Sequence, residues 1–237
     1  MKAIVNPIEH AKTAVEAYTS LYGADLVSII LYGSAAGGDF NPEKSDINLL
    51  IVLTSMDLEL IAKSAAIQAG DARRRFSRPL FMDQDYIAHS CDSYPMEFLE
   101  MKGCHRVLYG EDVLLSIAPE TEHLRLQVER ELKGKWLHLL QEFAFVRKDK
   151  KQFLRLIDLS LKAFLPVFRA LLKLKGATIP SNRKDVFKDI ESAYAVTGRP
   201  FQNIAEACSS YKGSDLEPRF IAYANAIKKI IGTIENN

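Results

Sequence analysis

The sequence predicts an α+β fold in which strands and helices share the first half of the chain and helices alone fill the second. Two short apolar runs, Leu26 to Tyr32 and Ile47 to Leu53, are dense in Ile, Leu and Val and bounded by Gly, Asn, Pro and Asp. That is the pattern of central strands covered on both faces. From Glu122 onward such runs stop, and apolar residues recur at helical spacing instead. Ser116 to Thr121, with Pro119, separates the two kinds of sequence, so the expected domains are 1–118 and 119–237.

Composition narrows the function classes. At 237 residues the chain has room for one large or two small domains, and 48% hydrophobic residues is ordinary for a globular protein. Lys plus Arg number 31 against 30 Asp plus Glu, so a net charge of +1 gives no global pull toward nucleic acid or acidic membranes. No run of about 18 apolar residues occurs and the N-terminal stretch has no signal-peptide pattern, so a cytoplasmic location without a membrane partner is expected. Cys91, Cys104 and Cys208 are widely spaced and form no CxxC pair, which points to reduced thiols rather than a zinc site.

Taken in order, Asn6-Pro7 opens a first amphipathic helix through Tyr22, with Ile8, Ala11, Ala14, Val15, Tyr18 and Leu21 on one side. The first strand follows. Between the strands lie Gly33, Ser34, Gly37, Gly38 and the turn former Asn41-Pro42. Glycine lets backbone approach a ligand closely, and successive N–H groups make an anion nest, so this segment reads as a phosphate cradle or as a plain turn. At the entrance of the second strand stands Asp46-Ile47-Asn48. Strand alternation puts Asp46 and Asn48 on one face, about 6.6 Å apart, and sends Ile47 into the core. Two oxygen donors beside a phosphate cradle suit a hard cation such as Mg²⁺.

Gly33-Ser34, eleven residues, then Asp46-x-Asn48 inside an apolar strand resembles the Gly-Ser … Asp-x-Asp signature of the nucleotidyltransferase superfamily. That superfamily holds polymerase-beta-like enzymes and kanamycin-type antibiotic nucleotidyltransferases. The resemblance covers about the first half of the chain and implies a mixed sheet flanked by helices. It also implies that Gly33 and Ser34 hold nucleotide phosphates, and that Asp46, Asn48 and a third carboxylate on a neighbouring strand bind Mg²⁺ or Mn²⁺. Two residues depart from the pattern: Asn48 stands at the second carboxylate, and Gly37 where an arginine often follows the Gly-Ser turn. A full negative charge about 4 Å from a dication is worth on the order of 8 kcal/mol at an effective dielectric near 20, before desolvation reduces it. An uncharged amide forgoes that.

After the second strand, Thr54 or Ser55 caps a helix from Met56, with Leu58, Ile61, Ala62, Ala65 and Ala66 inside and Gly70 as punctuation. The basic stretch Arg73 to Arg78 reads as solvated cations near a helix C-terminus in preference to a nucleic-acid contact. Pro79 to Met82 is a short strand, and Asp83 starts a helical stretch to about Ser93. Capping and first-turn charge account for Asp83 and Asp85. Met96 to Met101 has strand-like composition. Its Glu97 is the candidate third carboxylate by resemblance to the apolar-acid-apolar strand of minimal nucleotidyltransferases, with a solvent-facing edge glutamate as the other reading. Arg106 to Tyr109 resembles the closing segment of the same minimal domain, and His105 reads as polar surface.

The second half predicts about five helices: Glu122 to Phe145, Gln152 to Lys175 with a kink at Pro166, Lys184 to Val196, Phe201 to Tyr211, and Leu216 to Ile234. A nucleotidyltransferase sheet followed by a helical bundle is similar to the antibiotic-modifying enzymes, and to minimal ones that work beside an all-helical partner. In that arrangement Arg155, Lys162, Arg169 and Lys173 form a basic stripe whose commoner meaning is a solvated face. The resemblance implies transfer of a nucleoside monophosphate from an NTP donor to the hydroxyl of an unspecified acceptor, with Asp46 and Glu97 as catalytic carboxylates. The sequence leaves open whether the cleft is completed by a homodimer, by a helical partner protein or by neither. Asn48 and Gly37 point to the alternative, a catalytically degenerate protein of this fold that acts as a nucleotide-binding or protein-interaction module.

Overall fold

A computed structural model of the chain describes residues 3–37, 40–71, 74–210 and 215–235, with Ser209 and Ser210 described in backbone only. Of the residues singled out above, Gly38, Arg73 and Tyr211 lie outside the described ones. The chain forms two compact units, Met1–Glu120 and Thr121–Asn237.

In the first unit, α1 (Pro7–Tyr22) starts where Asn6 Oδ1 accepts the N–H groups of Ile8 and Glu9 at 3.1 and 3.2 Å. The strands β1 (Leu26–Tyr32), β2 (Asn48–Leu53), β3 (Leu80–Met82) and β4 (His105–Gly110) form one sheet in the order β3-β2-β1-β4. β1 runs antiparallel to both β2 and β4, whereas β2 and β3 are parallel. The two apolar runs are therefore the central strands of a mixed sheet. Alternation divides their side chains between two cores. Ile29, Leu31, Ile47, Leu49, Ile51 and Leu53 pack with Ala11, Ala14 and Tyr18 of α1, and Ile30, Leu50 and Val52 pack with residues from the other side.

Two element readings are corrected here. The helix after β2 is two short pieces, α2 (Leu58–Ala62) and α3 (Ala65–Asp71), and its cap is Asp57 rather than Thr54 or Ser55: Asp57 Oδ1 accepts from Glu59 and Leu60 N–H at 2.7 and 3.1 Å. More consequentially, Met96 to Met101 is helical, within α5 (Pro95–Gly103). Pro95 sits at the first helical position, where its missing N–H costs nothing, and Glu97 lies in the first turn, where the helix dipole favours an anion. Phe98 and Met101 of α5, with Ile87 of α4 (Gln84–His89), cover the Ile30, Leu50 and Val52 face of the sheet. Asp83 caps α4 as expected, accepting from Tyr86 N–H at 2.7 Å.

Among the described residues five helices form the second unit: α6 (Thr121–Val146), α7 (Lys150–Leu174), α8 (Arg183–Ala193), α9 (Pro200–Ser210) and α10 (Leu216–Glu235). Its core is aromatic, with Phe153, Phe164, Phe168, Phe187, Phe201, Phe220 and Tyr223 in mutual ring contact. The fully buried Tyr223 hydroxyl is satisfied by Ser160 Oγ at 3.2 Å. α7 continues through Pro166. Among the described residues no helix is long and apolar enough to cross a membrane.

Candidate active site

β1 ends directly in the Gly-Ser turn. Gly33–Ala36 is a single tight helical turn, entered through Gly33 at φ +73°, a conformation that an L side chain rarely adopts. The turn is pinned from the residue that joins α5 to β4: Gly33 N–H donates to Cys104 O at 3.0 Å, and Cys104 Sγ lies 3.3 Å from Gly33 O. The same thiol explains Gly37. A Cβ at residue 37 would collide with Cys104 Sγ, so the space in which a longer side chain would start is already filled.

Asn48 begins β2 opposite Tyr32, one residue before the turn. Its two amide atoms are oriented differently. Oδ1 accepts from Ser77 Oγ at 2.6 Å, whereas Nδ2 faces the turn, 3.1 Å from where a Cβ on Gly33 would stand. Asp46 lies just outside β2 with its side chain 61% exposed, while Ile47 is fully buried. Beside Asp46 is a residue that the sequence reading grouped with solvated cations. Arg75, only 7% exposed and at φ +66°, donates through Nη1 to Pro42 O at 2.7 Å and through Nη2 to Ser45 O, and its Nε is 3.8 Å from Asp46 Oδ1. One buried guanidinium thus holds the carbonyls of the loop that leads into Asp46 and flanks its carboxylate. A charge pair at about 4 Å is worth about 4 kcal/mol at an effective dielectric near 20, and less here because the carboxylate is hydrated.

Glu97 is exposed, in the first turn of α5. Among the described residues none of the four strands carries Asp or Glu, so no described strand beside β2 supplies a third acid. The histidine read as polar surface is half-buried: His105 Nδ1 is 3.0 Å from Lys102 O and Nε2 is 3.1 Å from Asp112 Oδ1. In the second unit Arg155, Lys162 and Lys173 are exposed; Lys162 pairs with Asp158 at 2.7 Å and Arg169 donates to Ser181 O at 3.2 Å.

No protein-family model matches this sequence, and no curated protein matches it. Among solved structures, the spectinomycin adenyltransferase AAD(9) from Enterococcus faecialis, crystallised with ATP and spectinomycin, is similar with a TM-score of 0.57. The likeness covers 93% of this chain and 98% of that one, at 11% sequence identity. The fold is of the nucleotidyltransferase type.

A nucleotidyltransferase fold implies divalent metal at the entrance of β2, and the residues there fit it poorly. Mg²⁺ and Mn²⁺ take oxygen donors, preferably charged ones. Asp46 supplies one carboxylate, the oxygen of Asn48 is engaged by Ser77, and a guanidinium already flanks Asp46. Among the described residues no three His, Cys, Asp or Glu side chains are grouped to hold a metal ion. Arg75 is the residue sequence reasoning missed. It sits in a basic run that reads as solvated, yet its side chain reaches back to the Pro42 and Ser45 carbonyls from a backbone at positive φ.

Proposed function

We propose that this chain is a catalytically degenerate protein of the nucleotidyltransferase fold that binds a nucleoside triphosphate and does not carry the nucleotidyl group to an acceptor. The observation that carries this reading is the entrance of β2, where Asp46 stands with Arg75 against it and where, among the described residues, no neighbouring strand carries an acid. Transfer in this fold needs charge stabilisation on the phosphoryl oxygens in the transition state. With one carboxylate, that stabilisation is not assembled. Binding asks for less. The Gly33-Ser34 turn and the Asn48 amide offer neutral donors, and such donors accept phosphate without repelling it.

A second reading, transfer of a nucleoside monophosphate to a hydroxyl with Asp46 and Glu97 as catalytic and metal-binding carboxylates, is favoured by one observation. The likeness to an adenyltransferase structure holding ATP and spectinomycin extends over nearly the whole of both chains. The two readings separate in one experiment. ATP, GTP, CTP and UTP are titrated calorimetrically into the wild type and Ser34→Asp, and pyrophosphate release is followed with Mg²⁺ and a panel of hydroxyl acceptors that includes spectinomycin. Binding of at least one triphosphate, weakened tenfold or more by Ser34→Asp and without pyrophosphate above the blank, is the expected result. Acceptor-dependent pyrophosphate abolished by Asp46→Ala would establish the transferase instead, and absence of binding by all four triphosphates would sink the nucleotide reading altogether.

A further inference from the structure

The divalent ion implied by the fold and the residues at its expected place disagree, and the disagreement has a structure of its own. Arg75 is not a surface cation that drifts near Asp46. Its side chain is 6% exposed, it is fixed by two loop carbonyls, and its backbone is tied to β2, with Ile47 N–H donating to Arg75 O at 2.9 Å and Ser77 N–H to Ile47 O at 2.9 Å. The neighbouring Ser77 in turn fixes the oxygen of Asn48, which leaves the amide Nδ2 on the side of the Gly33 turn. One short segment, Arg75 to Ser77, therefore sets both residues that would have been metal ligands.

We propose that Arg75 is a positioning residue that supplies at Asp46, as a permanent part of the protein, the positive charge for which the fold elsewhere uses a divalent cation, so that the site works without metal. The inference rests on the nucleotide reading for its ligand, but its charge argument does not. A lone carboxylate at the mouth of a phosphate site repels the ligand. A guanidinium 3.8 Å away offsets that repulsion and also disfavours a dication at the same oxygen. Asn48 belongs to the same device, because an aspartate there would add a negative charge that Arg75 alone does not balance.

Two arms test this on the full-length chain. In the first, Mn²⁺ alone is titrated against the protein and the free-ion signal followed by electron paramagnetic resonance. The wild type is expected to leave the signal unchanged at millimolar Mn²⁺. Loss of signal that is restored by Asp46→Asn would overturn the proposal, whatever the nucleotide does. In the second arm, ATP affinity is measured in EDTA and in Mg²⁺. The wild type is expected to bind within twofold in both, and Asn48→Asp to bind at least tenfold more weakly in EDTA. Arg75→Gln is also expected to lose about tenfold, and the double variant Arg75→Gln/Asp46→Asn to recover it, a compensation that a merely structural role for Arg75 would not give. Where Arg75→Gln does not fold, the Asn48→Asp and Mn²⁺ results decide. Binding seen only with Mg²⁺ overturns the internal-cation proposal and leaves nucleotide binding standing. Binding absent in both buffers removes the nucleotide reading, and with it this deepening of it.

Discussion

Gly37 and Cys104 are sized for each other. The glycine has an ordinary negative φ, so conformation does not require it; the room taken by the Cys104 thiol does. Gly37→Ala is expected to cost about 1–3 kcal/mol through overpacking against sulfur. With the sulfur gone, the next atom, Cys104 Cβ, is 3.9 Å from the new methyl, an ordinary contact. Gly37→Ala/Cys104→Ala should therefore recover most of the loss in a urea melt, and additive losses in the double variant would contradict the steric account. The pair also shows where the sequence was legible. Gly33, Ser34 and Asp46 stand out by spacing, because adjacent strand and turn residues carry that spacing directly. Cys104 and Arg75 do not. Cys104 meets the turn through β1–β4 pairing across 71 residues, and Arg75 reaches Ser45 across 30. No local pattern encodes such contacts.

At the scale of elements, helix and strand signals were readable where periodicity was long and ambiguous where it was short. α1, α6 and α7 each present several turns of apolar spacing, and the two central strands are unbroken apolar runs. Met96 to Met101 is six residues with apolar side chains at both two- and three-residue separations, and Pro95 at the first helical position tips it to helix. Caps decide other elements. Glu191, 5% exposed on α8, accepts from Phe201 N–H at 2.8 Å and Gln202 N–H at 3.2 Å, closing the start of α9. Glu191→Ala leaves those donors without an acceptor and is expected to cost about 2–3 kcal/mol, where Glu191→Gln keeps an oxygen and costs less. Equal loss in both variants would show that charge, not the acceptor, matters. Asp71, the last residue of α3, is 5% exposed, and burial raises its pKa above the ordinary carboxylate value, offset in part by the Tyr18 hydroxyl and the charges of Arg74 and His10. The folded chain therefore holds this proton more tightly than the unfolded chain does. Its contribution is fully present below the unfolded pKa and is lost as pH rises through the folded one. Asp71→Asn should raise the melting temperature at pH 7 and flatten its pH dependence above the ordinary carboxylate range. A lower melting temperature at pH 7 would mean that the carboxylate makes net favourable contacts.

At the scale of the molecule, a mixed-sheet unit is followed by a helical unit. Fold class was readable because the switch from strand to helical patterning is abrupt. The state of the site was not, because it depends on where one buried arginine places its charge. In the proposed function the chain holds a nucleoside triphosphate without consuming it. Phosphorus NMR of ATP with an equimolar amount of the full-length protein tests this most directly, since bound phosphates and released pyrophosphate are read in one sample. Shifted or broadened ATP resonances are expected in EDTA as well as in Mg²⁺, with no pyrophosphate in either after prolonged incubation with hydroxyl acceptors. Pyrophosphate that accumulates only with Mg²⁺, or ATP resonances identical to those of the free nucleotide in both buffers, would contradict it.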